Sequence, residues 1–282
     1  MFRQTVMIGF AESFLTWLAA TIIPAFAGLL VITWAGKKVP TKYIVAFAFG
    51  IMFWFFVDTI SGSAVLHVNS GFGGGIAQVA VVSLFIIGYL LFFWVDRKRD
   101  ILSPQSAIGK YGLTIPLMVA IAVGIHGLGE GTAFGYTAYA TLSTSLLDAF
   151  GGVSAGVAYV LHKGLEPMMI GACYSVYSNW RARPLSQWVK DVCVLSLAFA
   201  IPSLTGTPLG YFVLGPPNGY LARFDTTYFF ALGTGTSIYA IFRLAGPLFI
   251  PSGVTTARET IKVAVAWILG IIVIYIAALF HS

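Results

Sequence analysis

Two short stretches of this chain carry side chains that could do chemistry inside an otherwise apolar sequence. One reads Val123-Gly124-Ile125-His126-Gly127-Leu128-Gly129-Glu130-Gly131, and the other reads Tyr159-Val160-Leu161-His162-Lys163-Gly164-Leu165-Glu166-Pro167. Each has a His and a Glu four residues apart, a spacing that stacks both side chains on one face of a helix. An ionisable group at the centre of a bilayer costs several kcal/mol, so it marks a functional site with a partner. One such pair reads equally well as a hydrogen bond between helices. Two pairs on neighbouring spans present two imidazoles and two carboxylates at one depth, which suits a borderline divalent cation. Neutral imidazole and ionised carboxylate are the binding forms, so a metal also offsets the cost of two buried anions.

The elements that must position these residues follow from composition. Of 282 residues, 58% are apolar and 9% are charged, and the mean hydropathy is +0.89. A soluble domain is about 25% charged, and a soluble fold of this length leaves most of its surface in water. The composition excludes a soluble enzyme, a disordered chain and a nucleic-acid-binding domain, despite a pI near 9.3. The apolar runs suit helices of about 20 residues, not barrel strands of about 10. They predict an all-α membrane protein with eight spans, roughly 7–34, 42–66, 74–95, 112–137, 151–178, 188–212, 226–249 and 260–280. These fill residues 1–282 as a single transmembrane domain, with no separate soluble domain.

Lys and Arg alternate between the loops. They occur after spans one (Lys37, Lys38, Lys42), three (Arg97, Lys98, Arg99, Lys110), five (Arg181, Arg183, Lys190) and seven (Arg258, Lys262). The loops after spans two and four have none, and the loop after span six has Arg223 alone. The positive-inside rule then places both termini outside a multi-pass protein of the plasma or inner membrane. The net charge of +6 is a topology signal, and no nucleic-acid partner is expected. Cys173 and Cys193 lie in apolar runs and form no disulfide framework.

Local sequence suggests how the site is shaped. Gly127, Gly129, Gly131 and Gly164 let helices approach closely. Pro167 has no N–H and clashes with the Lys163 carbonyl, so span five is expected to kink or loosen beside Glu166. Arg243, near the end of span seven, reads as a snorkelling anchor. Ser203, Thr205 and Thr207 could bond across helices or line a pathway. Glu12 lies within reach of headgroups and has no assigned role.

At these residues the chain resembles the ZIP (Zrt/Irt-like) family of divalent-metal transporters, which has eight spans and both termini outside. Its span-four signature H-N-x-P-E-G is matched by His126, Glu130 and Gly131. Its H-x-x-x-E signature is matched by His162 and Glu166. Gly50-Ile51-Met52 with Asp58 is similar to a G-x-M/L…D pattern in span two, and Thr207-Pro208-Leu209-Gly210 is similar to E-P-[IL]-G in span six. The resemblance implies a ZIP-like bundle and a divalent cation as substrate. Zinc is the leading candidate, with iron, manganese or cadmium as alternatives. It also implies transport toward the cytosol and a homodimer in the lipid bilayer.

The departures from the family pattern sharpen the expectation. Relatives hold a second metal through the residues that follow each His and through the span-six Glu. Those positions here are Gly127, Lys163 and Thr207, so a single metal is expected on His126, Glu130, His162 and Glu166, with Met52 as a fifth contact. The Lys163 ammonium is expected where a second metal would sit, neutralising a carboxylate. Gly129 replaces a Pro and is expected to leave span four straighter. Asp58 and His67 are expected at the entrance. The loop between spans three and four lacks the His-rich regulatory segment of relatives. The rival reading is an intramembrane metal-dependent hydrolase, with Glu130 or Glu166 as general base on a retained metal. No H-E-x-x-H motif is present, and the chain reads as a transporter, not an enzyme.

Overall fold

The structure is a computed structural model that describes residues 9–62, 75–96, 112–140, 146–178, 180–216, 226–249 and 256–279. Every regular element among these residues is helical. A chain in hydrocarbon has no water to satisfy its N–H and C=O groups, and a helix satisfies them internally. The helices are α1 (Phe10–Ala35), α2 (Thr41–Gly62), α3 (Gly75–Val95), α4 (Thr114–Gly124), α5 (His126–Ala140), the single turn α6 (Leu146–Ala149), α7 (Val153–Tyr177), α8 (Leu185–Pro208), α9 (Thr227–Phe249) and α10 (Ala257–Ala278). A π-helical turn, Leu209–Leu214, extends α8 past Pro208.

Among the described residues, six segments are long and apolar enough to cross a membrane: Phe10–Ala35, Thr41–Ile60, Gln78–Val95, Thr114–Ala140, Leu185–Leu214 and Ala257–Ala278. The multi-pass membrane character expected from composition is therefore present. The other two long helices, α7 and α9, have 25 and 23 residues. They are less apolar because they run between other helices. More than half of α7 is buried, including Lys163 and Glu166, and α9 buries Thr234, Thr236, Ser237 and Arg243.

The bundle buries polar side chains within an apolar core and is apolar outside. Thr21, Thr33, Thr132, Ser203 and Thr207 are buried, whereas Leu15, Ile23, Val79, Ile87, Trp94, Ile261 and Ile268 are exposed. Helices meet at glycines. A Cβ on Gly131 would stand 1.9 Å from the Ser203 carbonyl oxygen, and one on Gly210 would stand 2.0 Å from that of Thr132, so α5 touches the α8 segment backbone to backbone. The same contact joins α1 to α7 (Gly28 on Gly164), α3 to α9 (Gly88 on Leu232, Gly235 on Phe85) and α2 to α10 (Gly50 on Trp267, Gly270 on Phe47). Small residues drive such packing because lipid supplies no hydrophobic force between helices.

The helix of span five continues through Pro167. The missing bond of Pro167 falls beside Gly164, where the α1 backbone braces the helix from outside. In span four the helix is interrupted for one residue at Ile125, immediately before His126. In a continuous helix the Ala122 carbonyl accepts the His126 N–H. Here the Thr236 hydroxyl of α9 donates to that carbonyl at 2.7 Å. A side chain inserted into the ladder is an ordinary cause of a helix break. A shorter bond from Leu128 N–H to the Ile125 carbonyl, at 3.1 Å, closes the turn.

The basic loops after spans one, five and seven gather at one end of the bundle. Arg181 Nη2 donates to the Gly36 carbonyl at 2.6 Å, Lys37 lies over the Trp188 ring, and Lys42 pairs with Glu259. Near this end two buried acids are held. Asp191 accepts from Tyr174 at 2.6 Å and from Gln187 at 2.9 Å, and pairs with Arg183. Asp96 accepts from the Tyr239 hydroxyl at 2.6 Å and pairs with Arg243. Arg243 is thus not a snorkelling anchor. It is 1% exposed, because its partner Asp96 is buried beside it.

Candidate metal centre

The break at Ile125 makes His126 the first residue of α5 and sets Glu130 one turn later on the same face. Nε2 of His126 lies 3.7 Å from Oε1 of Glu130. Its other nitrogen, Nδ1, is buried with no hydrogen-bond partner among the described residues. The ring is held by packing: Phe55 meets it edge-on at 5.0 Å and Phe230 tilts against it at 5.2 Å. From behind, α9 presses close, with a Cβ on Gly233 placed 2.4 Å from the His126 Cα. A buried imidazole oriented by rings alone keeps its lone pair available for a cation.

α7 supplies the other half. Glu166 is 2% exposed and His162 is 8% exposed. One donor atom each from His126, Glu130 and Glu166 lie within 4.8 Å of one another, a spread that a single cation could bridge. His162 lines the same cavity. The cavity measures about 380 Å³, and its wall also includes Trp54, Phe55, Asp58, Thr59, Phe230 and Ile274. These come from the later turns of α2 and α10 and from the first turn of α9. The cavity therefore extends from the site toward the end of the bundle opposite the basic loops. On the basic side Met52, Val123, Met169, Ile170 and Phe199 belong to the continuous apolar core.

Lys163 stands between the two carboxylates. Its Nζ is 2.5 Å from Oε2 of Glu130 and donates to Oε2 of Glu166 at 2.8 Å. The ammonium is 1% exposed and lies over the rings of Phe199 and Tyr159, at 5.1 Å and 5.6 Å from their centroids. The Tyr159 hydroxyl is bonded to that of Thr21 at 2.7 Å, and Trp17 Nε1 donates to Ser203 Oγ at 3.0 Å. This network joins α1, α7 and α8 around the site.

The residues singled out in the sequence divide as follows. His126, Glu130, His162 and Glu166 share one cavity, and Asp58 lies on its wall with an exposed side chain. Met52 is fully buried in the apolar core and is not among the lining residues. Gly127 fits against Ser203, where a Cβ would come within 2.9 Å of the serine Cβ. Thr207 is buried, and its hydroxyl turns to the Ser203 carbonyl of its own helix at 3.5 Å. His67 lies outside the described residues.

Sequence reasoning missed the walls, namely Phe55, Thr59, Phe230 and Ile274, because nothing in local spacing ties three distant helices to one cavity. It also missed Tyr159 and Phe199 around the ammonium. Tyr159 precedes Lys163 by one helical turn, a signal that could have found it. A scan of the chain against protein-family models finds no match, and neither does a search of curated proteins.

Proposed function

We propose that the chain is a transporter of divalent transition-metal cations, zinc foremost, that binds one ion at a time on His126, Glu130, His162 and Glu166. The single observation that carries this reading is the convergence of three donors within 4.8 Å on the wall of a cavity in the middle of an apolar bundle. Soft-to-borderline nitrogen with carboxylate oxygen selects this class of ion over Mg²⁺ or Ca²⁺, which take all-oxygen sites.

The remaining parts of the reading fit together. α7 and α9 act as two further spans, which gives eight and the ZIP-like topology that the motifs resemble. With the basic loops on the cytosolic side, both termini and the mouth of the cavity face outward. Asp58 then meets the incoming cation and draws it toward Glu166. The ion exchanges water for imidazole and carboxylate. The apolar core on the basic side separates it from the cytosol until one group of helices moves against the other. A homodimer in the plasma or inner membrane completes the expectation. The hydrolase reading is weaker, because Glu130 and Glu166 each have an oxygen committed to Lys163, and a carboxylate held in an ion pair is a poor general base.

Reconstitution tests this. Purified protein in liposomes with a trapped metal-sensitive dye should take up Zn²⁺. His162→Ala and Glu166→Ala should each abolish uptake while the protein remains monodisperse. Uptake that persists in both variants, or wild-type protein that takes up none, refutes the proposal.

A further inference from the structure

We infer that Lys163 is a tethered counter-ion that permanently fills one lobe of the site, so that the chain holds a single divalent cation and holds it loosely enough to let go. The inference rests on the metal reading above and adds the device that sets the charge and capacity of the site.

The geometry assigns the carboxylate oxygens to two tasks. Oε2 of Glu130 and Oε2 of Glu166 both converge on the Lys163 Nζ, at 2.5 Å and 2.8 Å. Oε1 of Glu130 instead faces Nε2 of His126 at 3.7 Å. Each glutamate thus has one oxygen committed to a resident cation. The ammonium is almost fully enclosed, and its remaining surface is covered by the faces of Phe199 and Tyr159. Two carboxylate oxygens and two ring faces are a complete shell for a cation. Nothing is left there to bind a second ion unless the lysine leaves. The lysine cannot leave cheaply, because a buried charge parted from its partner is costly.

The charge follows from the same residues. With both glutamates ionised and the lysine protonated, the empty site carries one net negative charge, and the loaded site carries one net positive charge. A divalent ion bound by His126 and Glu130 lies within a few ångströms of the ammonium, and like charges at that distance in a low-dielectric interior repel strongly. The repulsion weakens binding. A transport site requires this, since an ion must be held well enough to enter and poorly enough to leave.

Metal counting on the full chain in detergent decides the matter. Wild-type protein and two variants, Lys163→Arg and Lys163→Ala, are dialysed to equilibrium against Cd²⁺ or Zn²⁺, and bound metal per chain is measured by mass spectrometry. Lys163→Ala is extracted with the metal present throughout, so that the cation replaces the missing charge. Wild type and Lys163→Arg should each hold one ion. Lys163→Ala should hold two, or one ion at least tenfold more tightly. Wild type holding two ions overturns the inference, and this result needs no variant at all. Lys163→Ala holding one ion with an unchanged Kd also overturns it and leaves the metal reading standing. Wild type that holds no ion overturns both.

Discussion

Adding one methyl group at Gly131 should disable the site without touching any ligand. An alanine in a helix interior is favoured over glycine by about 1 kcal/mol, so by propensity alone Gly131→Ala would stabilise α5. The new Cβ, however, would stand 1.9 Å from the Ser203 carbonyl oxygen, 2.9 Å from its carbon and 3.3 Å from the Thr207 nitrogen. All three are backbone atoms of α8 and cannot rotate aside. Ordinary contact begins near 3.4 Å, so α8 must withdraw by about 1.5 Å. Overpacking of this kind costs about 1–3 kcal/mol, which outweighs the propensity gain. Withdrawal also stretches the bond from Trp17 to Ser203 and shifts Glu130, the residue next to the substitution. A ligand displaced by 1 Å loses on the order of a hundredfold in a function that needs tight geometry. The control is Gly156→Ala in α7, where the nearest atoms to a new Cβ are side-chain carbons of Phe150 at 3.7 Å. Thermal unfolding in detergent and Zn²⁺ affinity by dialysis are measured on both. Gly131→Ala should melt lower than wild type and bind metal ten- to a hundredfold more weakly, whereas Gly156→Ala should match or exceed wild type in both. A Gly131→Ala protein as stable and as tight as Gly156→Ala refutes the claim that backbone contact between α5 and α8 positions the site.

Three further outcomes follow from other parts of the bundle. Asp96→Asn or Arg243→Met alone leaves a buried charge without its partner and should cost roughly 3–5 kcal/mol; the pair Asp96→Leu/Arg243→Met should cost less than either, with bound metal per chain unchanged, as read by melting and mass spectrometry. Zn²⁺ at a hundred times its Kd should stabilise the wild type by about 2.7 kcal/mol through mass action, and His126→Ala should lose most of that shift in a thermal scan. Metal binding should weaken as pH falls from 7.5 to 5.5, because imidazole and carboxylate bind in their deprotonated forms; a Kd that is flat across this range would exclude histidine ligands.

The convergence of the four candidate residues on one cavity was partly legible in the sequence, because a helix converts four-residue spacing into a shared face. His126 with Glu130 and His162 with Glu166 need no tertiary information to be paired. Span positions were legible for a similar reason, since twenty apolar residues in a row have few other uses. What failed depended on residues far along the chain. The interruption at Ile125 involves Thr236, which bonds to the carbonyl of Ala122, 114 residues earlier. The burial of Arg243 depends on Asp96, 147 residues earlier. The cavity wall draws on the late turns of two helices and the first turn of a third, and only the packed bundle defines it.

The glycine contacts also fix an order of assembly. Gly50 in α2 meets Gly270 in α10, Gly88 in α3 meets Gly235 in α9, and His126 is backed by Gly233. Early helices are therefore completed by late ones. At ribosomal speeds of about 5–20 residues per second, α2 waits on the order of ten to forty seconds for its partner to be made. During that interval α2 and α3 lie in the membrane with their glycine grooves open to lipid or to helices of other proteins. His126 has no backing until α9 arrives with Gly233, so the candidate site is assembled only when the chain is nearly whole.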